Sequence, residues 1–97
     1  MRRLVFLPLA ISDLRDITRY SRREFGDRRA REYIDTIKAK AGDLAAGRSS
    51  GLPFDDPIPG LWKQRVGSHV LFYHLHDESF LTVLRILHGR MNIEDHL

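Results

Sequence analysis

The segment Trp62–Arg90, WKQRVGSHVLFYHLHDESFLTVLRILHGR, decides the fold. It is the one long run in which apolar residues dominate and no helical stripe forms. Two parts of it, His69–His76 and Ser79–His88, are rich in Val, Leu, Ile, Phe and Tyr, and only Asp77 and Glu78 separate them, which predicts a hairpin. Trp62–Val66 joins the first run across Gly67-Ser68, a pair suited to a two-residue type II′ turn because glycine takes positive φ at the first central position. The segment therefore reads as a three-stranded antiparallel meander.

Side chains alternate faces along a strand, so Val70, Phe72, His74 and His76 share one face, and His69, Leu71, Tyr73 and Leu75 the other. In the next strand the same rule sets Leu84 and Ile86 against Leu81, Val83 and Leu87. A sheet with one wet face alternates apolar with polar; this one carries apolar groups on both, so both faces are covered. Helices are expected on one face, and the pattern alone leaves open what covers the other.

Upstream, Arg3–Leu7 is a short apolar strand ending before Pro8, and it reaches the sheet only across a helical crossover. Pro8 suits a first helical turn, although Leu7 before it offers no capping oxygen. From Ala10 to Phe25 one apolar stripe runs through Ala10, Leu14, Ile17 and Tyr20, with Asp13, Asp16, Arg19, Arg22 and Arg23 opposite. Gly26 is placed to close that helix and Asp27 to cap the next. The second stripe, Ala30, Tyr33, Ile34, Ile37, Ala41, Leu44 and Ala45, stops at Gly47. So short a turn makes the two helices an antiparallel hairpin packed on the sheet. Arg48–Gly60 holds three of the four prolines and reads as a loop in which Asp55 and Asp56 have no catalytic role. The whole reads as one α+β domain over residues 1–97, in the order β-α-α-β-β-β, with an αα-hairpin on one face of a small antiparallel sheet.

With 97 residues there is room for one sheet and one helical layer. Cysteine is absent, which excludes disulfides and thiolate metal sites and fits a cytoplasmic location. The N-terminal MRRLVFLPLAIS is too short and too broken by Pro8 for a signal peptide or a membrane span. Residues 1–48 hold twelve Arg and Lys against seven Asp and Glu, while residues 49–97 hold four against six. The basic helical half, in a chain richer in Arg than Lys by thirteen to three, suits nucleic acid or an acidic partner, or a solvated face of intrahelical ion pairs.

His74 and His76 form an H-x-H on one strand face, but no carboxylate in the adjoining strands completes a shell, so no metal site and no cofactor are expected. Phosphate loops and nucleophile elbows are absent. Basic groups do gather where the meander ends: Arg85, His88 and Arg90, with His96 beyond and Arg65 across the sheet. Such groups can cleave RNA, arginines stabilising phosphate charge while a histidine moves a proton, or they can form an interaction surface.

Asp13-Leu14, Ile17, Tyr20, Phe25-Gly26, Ala30 and Tyr33, then Pro59-Gly60-Leu61, His69, Phe72-Tyr73 and the terminal RILHGR with Ile93 and Leu97, resemble the ParE branch of the RelE/ParE toxin superfamily over nearly the whole chain. The resemblance implies the toxin of a bacterial type II toxin–antitoxin pair, with the first strand beside the meander and the chain end packed on the sheet. It implies a poison of DNA gyrase, blocking replication, neutralised by a ParD-like antitoxin whose C-terminal segment is disordered until bound, and it makes the second apolar face of the sheet an expected groove onto which that segment folds. It places His88, Arg90, Met91 and His96 toward the target, with Arg85 either beside them or closed in a structural ion pair, and it places Tyr20, Arg23, Tyr33, Trp62, Phe72 and Tyr73 toward the antitoxin, the last three being equally readable as core or sheet cover.

RelE-like relatives are ribosome-dependent ribonucleases with an arginine in mid-sheet, a basic residue after the last strand, and a Tyr or His near the C-terminus. Here the first slot holds Val70, while Arg90 and His96 fit the others and Arg65 stands on the neighbouring strand. Without the mid-sheet arginine a non-enzymatic poison is expected. Arg65, Arg90 and His96 are the catalytic candidates if the chain is instead a ribonuclease, and a degenerate toxin that only binds its antitoxin is the third reading.

Overall fold

The computed structural model describes residues 1–55 and 58–96; Asp56 of the predicted loop and Leu97 of the terminal motif lie outside the described residues. The elements are β1 (Arg3–Phe6), α1 (Pro8–Phe25), α2 (Asp27–Ala46), β2 (Leu52–Pro53), β3 (Leu61–Val66), β4 (His69–His76), β5 (Phe80–His88) and a final 3-10 turn over Ile93–His96. They form an α+β fold in which two helices pack on one face of a five-stranded sheet of order β1-β5-β4-β3-β2.

The meander is present as β3, β4 and β5. Gly67 has φ of 58° and Ser68 is not in the positive region, the pattern of a type II′ turn. The second hairpin differs from expectation by one residue: His76 pairs with Phe80, so Ser79 belongs to the turn. Asp77 takes φ of 45° there and accepts the Ser79 amide at 2.7 Å, a local hydrogen bond that suits Asp to this position. The sheet is mixed rather than wholly antiparallel, because β1 lies parallel to β5 with Arg3 opposite Phe80. Within the loop predicted for 48–60, Leu52 and Pro53 add a fifth strand against Lys63 and Trp62. Proline is tolerated there because β2 is the edge strand.

Gly26 has φ of 87° and ψ of 167°, a region essentially reserved for glycine, and its amide closes α1 onto the Arg22 carbonyl. Asp27 begins α2 instead of capping it, since Gly26 occupies the cap and Asp27 pairs with Arg22 at 3.6 Å. The α2 stripe is buried as read, with Ile37 and Ala41 at 0 % exposure. On α1 the buried stripe runs Ala10, Ile17 and Ser21, so Tyr20 stands out at 51 % exposure.

A bulge decides what each sheet face carries. Phe72 pairs with Arg85 but Tyr73 pairs with Val83, so Leu84 is an extra residue in β5. Strict alternation fails at that point: Ile86 joins Leu81 and Val83 in the core under the helices, together with Leu71 and Tyr73. Leu87 turns to the opposite face. There Leu61, Phe72, Leu87 and Ile93 form a second core, with Phe54, Ile58, Val70 and Leu84 packed against it. The face expected to be an open groove for a partner is thus covered by the protein's own loop and terminal turn, as apolar area removed from water requires.

Candidate interaction site

Beyond Val83, no strand among the described residues lies on the outer side of β5, because β1 pairs only as far as Phe6. Asp13 fills that place. Its carboxylate takes the Ile86 amide at 2.9 Å and both Nε and Nη2 of Arg85, at 2.9 and 2.8 Å. Arg85 also donates to the His96 carbonyl, so one guanidinium ties α1, the sheet and the terminal turn together. The paired carboxylate, by hydrogen bond first, holds the Arg85 pKa above its ordinary value. Arg85 is thereby committed inside the fold, its side chain 15 % exposed, rather than offered to a target. Asp13, which the sequence pattern set on the solvent face, turns inward; its spacing of three from Ala10 and four from Ile17 was the available signal.

Next to this lies a cleft of about 600 Å³ between the helices and the end of the sheet, lined by Ile17, Tyr20, Phe25, Tyr33, His88 and Met91 among others. Tyr20, Phe25 and Met91 are 51 %, 58 % and 49 % exposed, an unusual concentration of large apolar groups in water. Two residues predicted to face the antitoxin, Tyr20 and Tyr33, and two predicted to face the target, His88 and Met91, therefore share one surface. Arg23 stands beside it with its guanidinium 5.7 Å from the Tyr20 ring centroid.

The polar part of the cleft is built on Tyr33. Its hydroxyl accepts the Ser68 amide at 3.1 Å and lies 2.6 Å from His69 Nδ1 and 3.3 Å from the Val66 carbonyl. Two arrangements satisfy these distances: the phenol donates to Nδ1 of a His69 protonated on Nε2, or it accepts Nδ1–H and donates to the Val66 carbonyl. His88 Nδ1 accepts the Arg90 amide at 3.2 Å, which fixes the orientation of its ring. The two rings meet edge to face at 5.6 Å. Desolvation first, and the neighbouring His88 second, lower the His69 pKa from its ordinary 6.5, so His69 is neutral at pH 7. Gly67 passes so close to Tyr33 that an added Cβ would sit 2.7 Å from its ring. His69 and Gly67 were not among the predicted site residues, because a histidine opening a strand and a turn glycine have local explanations.

The other predicted residues are dispersed. Phe72 and Tyr73 are buried at 6 % and 2 %, on opposite faces of the sheet, and so offer no surface to an antitoxin. Trp62 is half-buried and stacks on Tyr73 at 6.4 Å beneath the helices. Arg65 lies against Gly89, where an added Cβ would be 3.0 Å from its guanidinium, and Arg90 follows at once on the second-core side. His96 instead borders a separate apolar groove with Leu7, Pro8, Leu9 and Leu84. His74 and His76 meet edge to face at 6.0 Å, and His76 bonds the Thr82 hydroxyl at 3.0 Å. Asp55 accepts the Gly60 amide at 3.0 Å, a turn-forming role.

A family profile described as "ParE toxin of type II toxin-antitoxin system, parDE" matches residues 4–93. The chain belongs to the ParE toxin family. It is 30 % identical over 95 residues to toxin ParE1 of Mycobacterium tuberculosis, covering 98 % of this chain and 97 % of the relative. It is 34 % identical over 84 residues to toxin ParE of Escherichia coli, covering 87 % and 82 %. The fold matches a chain of the chromosomal ParDE toxin–antitoxin system of P. aeruginosa with a TM-score of 0.74 at 20 % identity, over 91 % of this chain and 96 % of that one. The protein is thus the toxin of a ParDE type II toxin–antitoxin system. Among the described residues, no helix is long and apolar enough to cross a membrane.

Proposed function

We propose that this toxin works without catalysing a reaction, as a cytoplasmic poison of DNA gyrase that blocks replication. A ParD-like antitoxin neutralises it by folding a C-terminal segment into the cleft bounded by Tyr20, Tyr33, His88 and Met91. The observation that carries the non-catalytic reading is the dispersal of the cationic and acid–base groups. The mid-sheet slot holds Val70, Arg85 is closed on Asp13, and His96 opens on a different groove from Arg90. Phosphoryl chemistry needs its charge-stabilising donors and its proton-transfer group converging on one atom. An apolar cleft with two oriented imidazoles and a basic rim suits binding of an amphipathic segment instead.

The test uses purified toxin with gyrase and with a translating extract. Inhibited supercoiling with accumulation of cleaved DNA–gyrase complexes is the expected result. Normal supercoiling at saturating toxin, with message cut in the translating extract, would replace this reading with the ribonuclease one.

A further inference from the structure

The corner between α1 and α2 carries more charge than the cleft alone uses. Arg22, Arg23, Arg28 and Arg29 flank Gly26, and all four are exposed. Two are loosely held: Arg22 stands 3.6 Å from Asp27 and Arg28 3.9 Å from Glu32, with side-chain exposures of 62 % and 86 %. Pairs so open to water bind their charges weakly and leave them available to a ligand. Among the described residues, no carboxylate lies within salt-bridge distance of Arg23 or Arg29. Two aromatic rings are set among these arginines, Tyr20 at 51 % and Phe25 at 58 % exposure, and Arg29 lines the same cleft as both.

Guanidinium groups present a fork of donors that matches phosphate oxygens. Exposed rings between them offer faces on which unpaired bases stack, whatever their sequence. A duplex keeps its bases inside, so rings and arginines act together only on a single strand. An acidic peptide would satisfy the charges but would draw no stacking from Tyr20 and Phe25. We propose that the Gly26 corner binds single-stranded nucleic acid, with Arg22, Arg23, Arg28 and Arg29 on successive phosphates and Tyr20 and Phe25 stacked on unpaired bases. This stands apart from the gyrase reading, because it rests on the corner's own side chains and is measured without gyrase.

Fluorescence anisotropy of a labelled oligothymidylate of about twenty nucleotides, titrated with the whole chain, tests it. Wild-type protein should bind it more tightly than a duplex of equal length, and log affinity should fall with log salt at a slope of about −2 to −3, as three or four phosphate contacts require. Arg23→Ser with Arg29→Ser should weaken binding about tenfold at low salt and flatten the slope by about 1.4. Tyr20→Ser with Phe25→Ser should weaken it about tenfold or more at an unchanged slope. All four side chains are exposed, so unchanged melting temperatures should accompany these losses. Absence of binding at low salt, a preference for duplex, or affinity indifferent to both double variants overturns the proposal. Displacement of the oligonucleotide by polyglutamate at equal charge, with the aromatic variant binding as wild type, assigns the corner to an acidic protein partner and overturns it equally.

Discussion

Asp13 and Arg85, 72 residues apart in the chain, close on each other through two hydrogen bonds of 2.9 and 2.8 Å at side-chain exposures of 12 % and 15 %. Removing one partner leaves an uncompensated charge inside the fold and, at Asp13, also frees the Ile86 amide. Asp13→Ala should lower the unfolding free energy by about 3–5 kcal/mol, read from urea denaturation. The double exchange Asp13→Ala with Arg85→Met should cost less than Asp13→Ala alone, because no unpaired charge then remains buried. Equal losses for both proteins would show that the pair does not act as a unit.

Acidity should weaken the fold through histidines held neutral. Burial, and then the neighbouring imidazole, lower the pKa of His69 and of His74 from an ordinary value of 6.5. The unfolded chain therefore takes up protons that the folded chain resists. Their contribution to stability is full above about pH 6.5 and is lost as pH falls through the unfolded value toward the folded one. The urea midpoint should drop between about pH 7.5 and pH 5, and His69→Gln with His74→Gln should flatten that drop.

Gly51 sits where a Cβ would come within 2.4 Å of the Lys63 carbonyl oxygen and 2.5 Å of the Tyr73 hydroxyl. Its amide donates to that hydroxyl at 3.0 Å. Because one obstacle is backbone, the neighbours do not yield cheaply, and Gly51→Ala should cost about 1–3 kcal/mol. A melting temperature equal to wild type would mean that β2 shifts freely.

Ile93 is 2 % exposed and completes the second core over Phe72 and Leu87. Ile93→Ala should destabilise the protein by about 2–5 kcal/mol. The same change should raise binding of a hydrophobic dye, as that face opens to water. Unchanged stability would place the terminal turn outside the cooperative unit.

The order of helices and of the meander was legible because each element has a strong internal period, as in the α2 stripe from Ala30 to Ala45. What escaped has none. Reading β5 by alternation put Ile86 and Leu87 on the wrong faces, since one extra residue at Leu84 reverses everything after it. The cover of the second face comes from single apolar residues, Phe54, Ile58 and Ile93, scattered through a proline-rich loop and a short tail. Two residues of β2, one of them proline, are too few to register as a strand. Of the residues that line the candidate cleft, Tyr20, Tyr33, His88 and Met91 had been singled out but divided between two partners, because sequence distance hid that they share one surface. That Arg85 needs a partner was legible and which partner was not, because Asp13 lies among exposed charges on its helix.

The parallel pairing of β1 with β5 has a consequence for synthesis. Arg3–Phe6, made long before its partner, pairs with Phe80–Val83, and the second core waits for Ile93. Chains emerge from their N-termini, and contacts between distant segments form late because a long loop must first close. A nascent toxin therefore lacks its finished sheet, and the surfaces that depend on it, until Phe80–Val83 and Ile93 have been made.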